Sequence, residues 1–323
     1  MQLFHNPPFR YDRSLSHPPH VVIEQDSTRW PGYNLGRRSA SVGFKIMKIV
    51  RDVESMKGVL RPFAGRRVGL VPTMGALHSG HLSLVHEMKK HADVVVLSIF
   101  VNPLQFSPGE DYEKYPRCEE EDCKKCADAG VDVVYIPSVE GMYPDGFSTG
   151  VDVGPMAREL CGASRHNFIN GIMVVLIKLV MQTNAHCMIL GEKDYQMLCL
   201  TRKLFRDLNI GVDVLQGDTV RSPEGLALSS RHKYLNGAEI AKAGFLYKFL
   251  LEVGKNLSDA PDDQQEIITR GKLRLEQEGF KVDYLEVRDN NTLERIQTFS
   301  RPARVFLAVN LGCCRLIDNI LLA

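Results

Sequence analysis

The chain has 323 residues, of which 44% are hydrophobic and 24% charged, and a formal net charge of +1 at pH 7. This composition is ordinary for a globular protein of about two domains. The near-zero charge argues against nucleic-acid binding, which selects a basic excess. No apolar run reaches the roughly 18 residues that a membrane-spanning helix needs. The eight cysteines lack the spacing of a disulfide framework, and no secretory signal pattern is present, so we expect reduced thiols in a cytoplasmic protein.

Residues 1–46 are rich in Pro, His, Ser and Arg and show no clean hydrophobic period. We therefore predict a disordered extension over this segment. Two alternatives stay open. One is an organellar targeting segment, although Asp12, Glu24 and Asp26 disfavour it because transit peptides are poor in acidic residues. The other is that the protein starts at Met47.

From residue 47 onward, short apolar runs alternate with helical patterns. A short helix is predicted within 49–60. Strands are predicted at 68–71, 92–102, 131–137, 187–191 and 212–215. Helices are predicted at 82–91, 119–130, 171–181 and 195–208, with an irregular segment over 138–170. Continuous apolar runs are typical of strands buried on both faces of a parallel sheet. The order predicts an α/β domain with a doubly wound parallel sheet, Rossmann-like, over 47–220.

The remainder of the chain changes character. Helices are predicted at 238–257 and 267–277, and strands within 282–288 and 303–311. The strands alternate with a period of two, which indicates one solvated face. We therefore predict a smaller α+β domain over 221–323.

The first predicted strand leads into Pro72-Thr-Met-Gly-Ala-Leu-His-Ser-Gly-His81 and then into a helix. Gly75 and Gly80 permit a tight turn, and His78 and His81 fall where the helix begins. The free N–H groups and the dipole of a helix start favour an anion, and two imidazoles add donors. The pattern therefore predicts phosphate binding. The alternative is that both histidines only cap or pack against the helix.

Two later segments carry similar chemistry. Gly191-Glu-Lys-Asp194 follows a predicted strand, where Lys193 suits phosphate oxygens and Asp194 suits a ribose hydroxyl. Ser229-Ser-Arg231 offers two hydroxyls and a guanidinium, which suit a flexible phosphate clamp. The structural alternatives are a helix capped by Asp194 beside a solvated lysine, and an ordinary serine N-cap.

A cysteine cluster could in principle bind zinc. Cys118, Cys123 and Cys126 lie close together in the sequence. No second Cys-x-x-Cys pair follows, and the surrounding acidic residues are typical of a helix start. We therefore predict no metal site here.

The segment from Pro72 to His81 resembles the pantothenate synthetase (pantoate–β-alanine ligase) family. Its His-x-Gly-His core resembles the wider superfamily of nucleotidylyltransferases, whose sheet is of the doubly wound type. The resemblance continues in order from about Met47 to the C-terminus. It is carried further by Ser98–Phe106, Asp111–Arg117, Gly162–Arg165, Gly191–Asp194, Gly225–Arg231, Leu311–Gly312 and Arg315–Asn319.

The resemblance implies a two-step ligase of vitamin B5 biosynthesis. ATP and (R)-pantoate would give pantoyl adenylate and pyrophosphate, and the amine of β-alanine would then displace AMP. Mg²⁺ would accompany ATP. The family likeness also implies a homodimer formed through the α/β domain, with neither nucleic acid nor membrane as a partner.

The resemblance also implies residue roles. The nucleotide site would comprise Met74, Gly75, Ala76, Leu77, His78, Ser79, Gly80, His81, Gly191, Glu192, Lys193, Asp194, Val220, Leu228, Ser229, Ser230 and Arg231. The catalytic donors toward the phosphates would be His78, His81, Lys193, Ser229, Ser230 and Arg231, with His81 as proton donor. Gln105 would hold pantoate, and Asn102 would line the same pocket. A closing C-terminal lid carrying Ser229–Arg231 would exclude water from the adenylate.

The chain also departs from the family pattern. Met197 stands where the family usually has a glutamine that helps to bind pantoate, so we expect weaker pantoate binding. The segments His166–Gly171 and Asn184–His186 differ as well and are expected to flank the pantoate and ATP pockets. These departures imply weak activity or altered acid specificity as an alternative.

Two other functions remain open. One is a different nucleotidylyltransferase, acting for example on phosphopantetheine or nicotinamide mononucleotide. The other is a nucleotide-binding pseudoenzyme. The loop of Gln105 and the Ser-Ser-Arg segment favour the ligase.

Overall fold

A parallel sheet of six strands supports the first half of the protein. The structure, a computed structural model, describes residues 47–323 except 108, 166 and 167, so the predicted extension over 1–46 lies outside the described residues. The strands are β1 Lys48–Val50, β2 Val68–Thr73, β3 Val94–Ile99, β4 Val133–Tyr135, β5 Cys187–Gly191 and β6 Asp213–Gly217. Their spatial order is β1-β4-β3-β2-β5-β6, with parallel pairing throughout.

The strand order reverses between β2 and β5. The chain proceeds from β2 to β3 and β4 on one side, and β5 and β6 lie on the other. In open α/β sheets, ligands bind beyond the carboxyl ends of the strands at such a reversal. The ends of β2 and β5 therefore mark the expected crevice.

Helices cover both faces of this sheet. They are α1 Val53–Leu60, α2 Ser79–Met88, α3 Glu119–Asp128, α4 Val139–Met142, α5 Cys161–Ser164, α6 Phe168–Thr183 and α7 Tyr195–Asp207. Val94 and Val96 face the core formed with α1, α6 and α7, whereas Val95 and Leu97 face the core formed with α2 and α3. Both faces of β3 are thus buried, as its continuous apolar run predicts. The described helices include none long and apolar enough to cross a membrane.

The C-terminal region combines helices α8 Gly237–Ala243, α9 Phe245–Asp259 and α10 Gln264–Gln277 with an antiparallel sheet. This sheet has the order β7 Lys281–Asp289, β8 Ala303–Leu311 and β9 Cys314–Leu322. Val305 and Leu307 of β8 face α9 and α10, while Phe306 packs with Tyr195 of α7. The prediction of one solvated face is therefore wrong for β8. The predicted fold class is confirmed, and the division of domains at residue 220 stays a prediction.

Three predicted elements differ from the structure. Residues 48–50 form edge strand β1, and helix α1 begins only after Asp52, whose side chain accepts from Ser55 N at 2.8 Å. The predicted helix over 238–257 is divided near Gly244 into α8 and α9. Strand β9 was not predicted, because Arg315, Asp318 and Asn319 interrupt its apolar pattern.

Gly171 lets helix α6 lie directly on the loop after β3. A Cβ at this position would fall 2.1 Å from the backbone oxygen of Leu104. We expect Gly171→Ala to lower the free energy of unfolding by about 1–3 kcal/mol, because a backbone atom must move. Urea denaturation measures this change. Gly58→Ala is the control, since Gly58 lies in helix α1 with nothing within 4 Å of an added Cβ. Equal stability of both variants would contradict the prediction.

Candidate active site

The loop between β2 and α2 is held by one buried carboxylate. Asp122, in α3, is 1% exposed and accepts from the backbone N–H groups of Ala76 and Leu77, both at 2.7 Å. Gly75 has φ +82°, and a Cβ there would lie 3.0 Å from Asp122 Oδ2. The close approach and the left-handed backbone together explain the glycine. Asp122 therefore fixes the backbone of the loop directly before His78.

The histidines accept hydrogen bonds from the backbone at the helix start. His78 Nδ1 accepts from Gly80 N at 3.2 Å, and His81 Nδ1 accepts from His78 N at 3.4 Å. The two rings are stacked, with centroids 4.0 Å apart. An accepting Nδ1 places the proton of the neutral ring on Nε2. The imidazoles thus act as caps, and they also retain Nε2–H donors, so capping does not preclude phosphate binding, which stays a prediction.

This arrangement corrects one expectation. The backbone N–H groups of His78 and Gly80 were expected to be free for an anion, but imidazole nitrogens occupy them. The donors that remain to this pair are the Nε2–H groups of the side chains. At His78 and Gly80 an anion would therefore meet side-chain rather than backbone donors.

Both imidazoles are neutral at pH 7. Burial lowers the pKa of His78 to about 4, assisted by the positive charge of Lys193. Burial lowers the pKa of His81 to about 3, with further contributions from His78 and Lys193. The positive charge of the site therefore comes from lysine and not from imidazolium.

Lys193 lies near both histidines, since its charge acts on each of them. It follows β5, whereas the histidines follow β2, so the reversal of strand order brings them together, as the family resemblance implies. Among the described residues no carboxylate forms an ion pair with Lys193. Asp194 immediately precedes α7, but its side chain makes no capping hydrogen bond, so the structural alternative of a helix capped by Asp194 is wrong.

The Ser-Ser-Arg segment lies against the β2–α2 loop. Ser230 Oγ donates to Ala76 O at 3.1 Å, and Ser229 Oγ accepts from Arg231 N at 3.3 Å. Arg231 donates from Nε and Nη2 to the carboxylate of Asp111 at 2.9 and 3.0 Å. The expectation of a flexible clamp is therefore corrected: this segment is tied to the loop, and two guanidinium donors are already used.

Val220 and Leu228 also lie near the start of α2. Leu228 N donates to Val220 O at 3.0 Å, and Val220 Cβ lies 3.8 Å from where a Cβ on Gly80 would stand. The predicted nucleotide segments from β2, from the hairpin 220–228 and from Ser229–Arg231 thus converge at the start of α2.

The predicted pantoate residues occupy different environments. Asn102 is 1% exposed, and its carboxamide is fully used, because it accepts from Tyr143 and Leu104 and donates to Gly171 O and to Gln105 Oε1. It was expected to line the pocket, but it supports Gln105 from beneath instead. No acceptor among the described residues faces Gln105 Nε2, which leaves this donor available.

Met197 is buried in the core formed with α1, α6 and α7 and is 8% exposed. The departures at Asn184–His186 lie elsewhere, because His186 Nδ1 accepts from Val68 N at 3.1 Å at the start of β2. This is the amino end of the strands, so the expectation that Asn184–His186 flank the pockets is wrong. His166 and Asn167 lie outside the described residues.

Sequence reasoning missed Asp122 and His232. His232 lines a small cavity together with Lys193 and Ser229, and burial and the charge of Lys193 lower its pKa to about 4. Its position directly after Arg231 could have indicated it. Asp122 gave no such signal, since it lies in an acidic first turn typical of any helix start. The described residues include no group of three or more His, Cys, Asp or Glu placed to hold a metal ion.

Stability should depend on pH through the imidazoles. Their folded pKa values of about 4 and 3 lie below the unfolded value near 6.5, so between these limits the unfolded chain binds more protons and stability falls as pH falls. At about pH 5 each imidazole should contribute uptake of about one proton on unfolding. We expect the double variant His78→Asn/His81→Asn to lose this share, as measured by urea denaturation across pH 4–7. An unchanged slope would contradict the assignment.

Comparison with known proteins agrees with this geometry. A family model described as Pantoate-beta-alanine ligase matches residues 48–321. Pantothenate synthetase from Anaplasma marginale is 85% identical over 277 residues, which cover 86% of this chain and 100% of that protein. The enzyme from Thermosipho africanus is 42% identical, with 85% and 100% covered.

Solved structures agree as well. Pantothenate synthetase from Thermus thermophilus superposes with a TM-score of 0.80 at 39% identity, covering 85% of this chain and 99% of that one. Pantoate-beta-alanine ligase from Francisella tularensis, complexed with beta-gamma ATP and beta-alanine, superposes with a TM-score of 0.71 at 34% identity, covering 85% and 98%. The chain therefore belongs to the pantoate–β-alanine ligase family, the pantothenate synthetases.

Proposed function

We propose that this chain joins (R)-pantoate to β-alanine at the crevice beyond β2 and β5, with pantoyl adenylate as intermediate. The observation that carries the proposal is the meeting of Lys193, which has no ion pair among the described residues, with two neutral Nε2–H imidazoles. Such donors suit the phosphates of ATP. The related Francisella enzyme, crystallised with an ATP compound and β-alanine, supports the choice of substrates.

In the first step, a carboxylate oxygen of pantoate attacks the α-phosphorus of ATP, and the bond to the pyrophosphate oxygen breaks. Negative charge grows on pyrophosphate, where fixed donors stabilise it without reorganisation. Lys193, His78 and His81 would supply these donors. With a pKa of about 3, His81 would contribute a hydrogen bond from Nε2–H rather than transfer its proton, which revises the expected role.

Pantoate would be bound beside the loop after β3. Gln105 would donate from Nε2 to a pantoate oxygen, while Asn102 fixes its Oε1. Ser230 and the Arg231–Asp111 pair would close the nucleotide side and keep water from the adenylate. In the second step the neutral amine of β-alanine attacks the acyl carbon, the bond from that carbon to the phosphate oxygen breaks and AMP leaves, and the amine nitrogen loses a proton to water.

Mg²⁺ would enter as part of the substrate MgATP. This ion prefers oxygen ligands and commonly binds through phosphates and water with few carboxylates. The histidines and lysine of the site are unsuited to it, and no metal-binding cluster occurs among the described residues. Phosphate oxygens and water would therefore supply the ligands of the ion.

Assembly and location are further parts of the proposal. We propose a cytoplasmic homodimer, as the family likeness implies. Edge strand β1 exposes Ile49 by 42%, and α6 exposes Met181 by 70%. Single exposed apolar side chains of this kind are normal on a protein surface, so the proposed homodimer rests on the family likeness.

The proposed catalytic role of Lys193 and His81 can be tested in the first step of the reaction alone. Exchange of labelled pyrophosphate into ATP with pantoate alone reports adenylate formation. We expect Lys193→Ala and His81→Ala to lower its kcat by about 10²–10³-fold each, the typical loss for one oxyanion donor. His86→Ala and Lys233→Ala are the controls, since both side chains are exposed, and both should retain full exchange.

The same assay separates the other functions. AMP release that requires both pantoate and β-alanine supports the ligase. ATP binding without exchange or AMP release would favour a pseudoenzyme, and pyrophosphate release with another acceptor alone would favour a different nucleotidylyltransferase. Full exchange in Lys193→Ala would refute the assigned role.

Met197 gives a separate prediction for pantoate. A thioether cannot donate, and one hydrogen bond to a buried group contributes about 1–3 kcal/mol. We expect Met197→Gln to tighten pantoate binding by roughly 5–150-fold, measured by calorimetry with pantoate. Met181→Gln is the matched control, because Met181 is 70% exposed. An affinity for pantoate that improves little in Met197→Gln would count against a pantoate contact at this position.

A further inference from the structure

Two side chains of the C-terminal sheet bind the turn that carries Lys193. Asn319 of β9 donates from Nδ2 to the backbone oxygens of Glu192 and Lys193, each at 3.0 Å. Arg304 of β8 donates from Nη2 to Glu192 Oε1, also at 3.0 Å. All three contacts fall on the single turn Glu192–Asp194 that connects β5 to α7.

The orientation of the Asn319 carboxamide follows from its neighbours. Arg304 can only donate, and its Nη1 lies against Asn319 Oδ1, so this atom must be the oxygen. Nδ2 then faces two backbone oxygens, which can only accept. Each hydrogen of the amide has a partner, and no other orientation satisfies the network.

Arg304 is itself held in one place. Its side chain is 2% exposed, and its guanidinium lies 3.6 Å from the ring centroid of Tyr195, the first residue of α7. Its Nε donates to Asn290 Oδ1 at 3.1 Å. A buried guanidinium in which each nitrogen has a partner tolerates little displacement, because a lost partner leaves a desolvated charge.

The backbone and the side chain of Lys193 are held differently. Its backbone oxygen is tied to Asn319, while its amine lies near the histidines without an ion pair among the described residues. A catalytic donor must stand within fractions of an ångström of the developing charge. We propose that Asn319 and Arg304 are positioning residues, which fix the backbone at Lys193 so that its amine meets the phosphates. This inference rests on the proposed role of Lys193.

A double-mutant cycle tests the proposal. Asn319→Asp keeps the side-chain size and an ion pair with Arg304 but sets an oxygen against the two backbone oxygens. In the pyrophosphate exchange assay we expect it to lower kcat by about tenfold or more with Lys193 present. In the Lys193→Ala background we expect less than about a twofold change, since coupled residues are not additive. The KM for pantoate should stay unchanged.

The control and a second variant keep the test decisive. Gln264 is 8% exposed, and its carboxamide donates to Ile296 O at 2.7 Å in the same C-terminal region. Gln264→Ala should lower Tm and leave kcat unchanged. If Asn319→Asp does not fold, Arg304→Lys replaces it, because it keeps the charge and loses the fork to Glu192 and Asn319, and we expect the same non-additivity.

Three outcomes would overturn the proposal, and they distinguish a failure of this inference from a failure of the proposed function. Equal losses of kcat in both backgrounds, or a lower Tm with unchanged kcat, would show that Asn319 acts without Lys193, and the proposed function would stand. Full exchange by Lys193→Ala alone would refute the role of Lys193 first and this inference with it.

Discussion

Two backbone N–H groups at the start of α2 determine which nitrogen of His78 and of His81 carries a proton. His78 N and Gly80 N donate to the Nδ1 atoms of His81 and His78. The neutral rings therefore present Nε2–H. The positions of these two backbone N–H groups depend in turn on the loop between β2 and α2, which Asp122 holds through two hydrogen bonds at 2.7 Å. Removing one buried acceptor leaves unsatisfied donors, which costs about 1–3 kcal/mol per group.

Neutral imidazoles suit the proposed chemistry. Cationic rings 4.0 Å apart would repel one another and Lys193, and burial opposes their charge further. Both effects leave the histidines as fixed dipoles and Lys193 as the charged donor. Such a site can stabilise charge that develops on pyrophosphate without first moving a proton. The C-terminal sheet holds the backbone of Lys193, and its amine makes no ion pair among the described residues.

Sequence reasoning was most successful where local pattern and chain order decide the structure. The apolar runs of β3 and β5 predicted a parallel sheet, and the family resemblance placed Lys193 in the same nucleotide site as His78. It failed where long-range pairing decides. Strand β9 was missed because charged and polar residues interrupt its apolar pattern. Asp318 and Asn319 are nevertheless buried, and they bind Arg221 and Glu192, which lie 97 and 127 residues away in the chain.

In the candidate site, too, local sequence patterns were informative and long-range contacts were not foreseen. Residue types and spacing indicated donors at His78, His81 and Arg231, but not which donors are already used. Arg231 is bound to Asp111, 120 residues earlier in the chain, and Asn102 is paired on every edge. Such partners come from separate strands and loops, so no local pattern reveals them. Asp122 likewise looks like any acid in a first helical turn.

The tautomers of His78 and His81 test the central claim most directly. Nitrogen-15 NMR of protein labelled at histidine, at about pH 7, reports whether each ring nitrogen carries a proton. His78→Asn and His81→Asn assign the signals. Our account predicts neutral rings with protonated Nε2 and unprotonated Nδ1 at both positions, and a change confined to the Nε2 signals when ATP is added. Imidazolium signals, or protons on Nδ1, would contradict it.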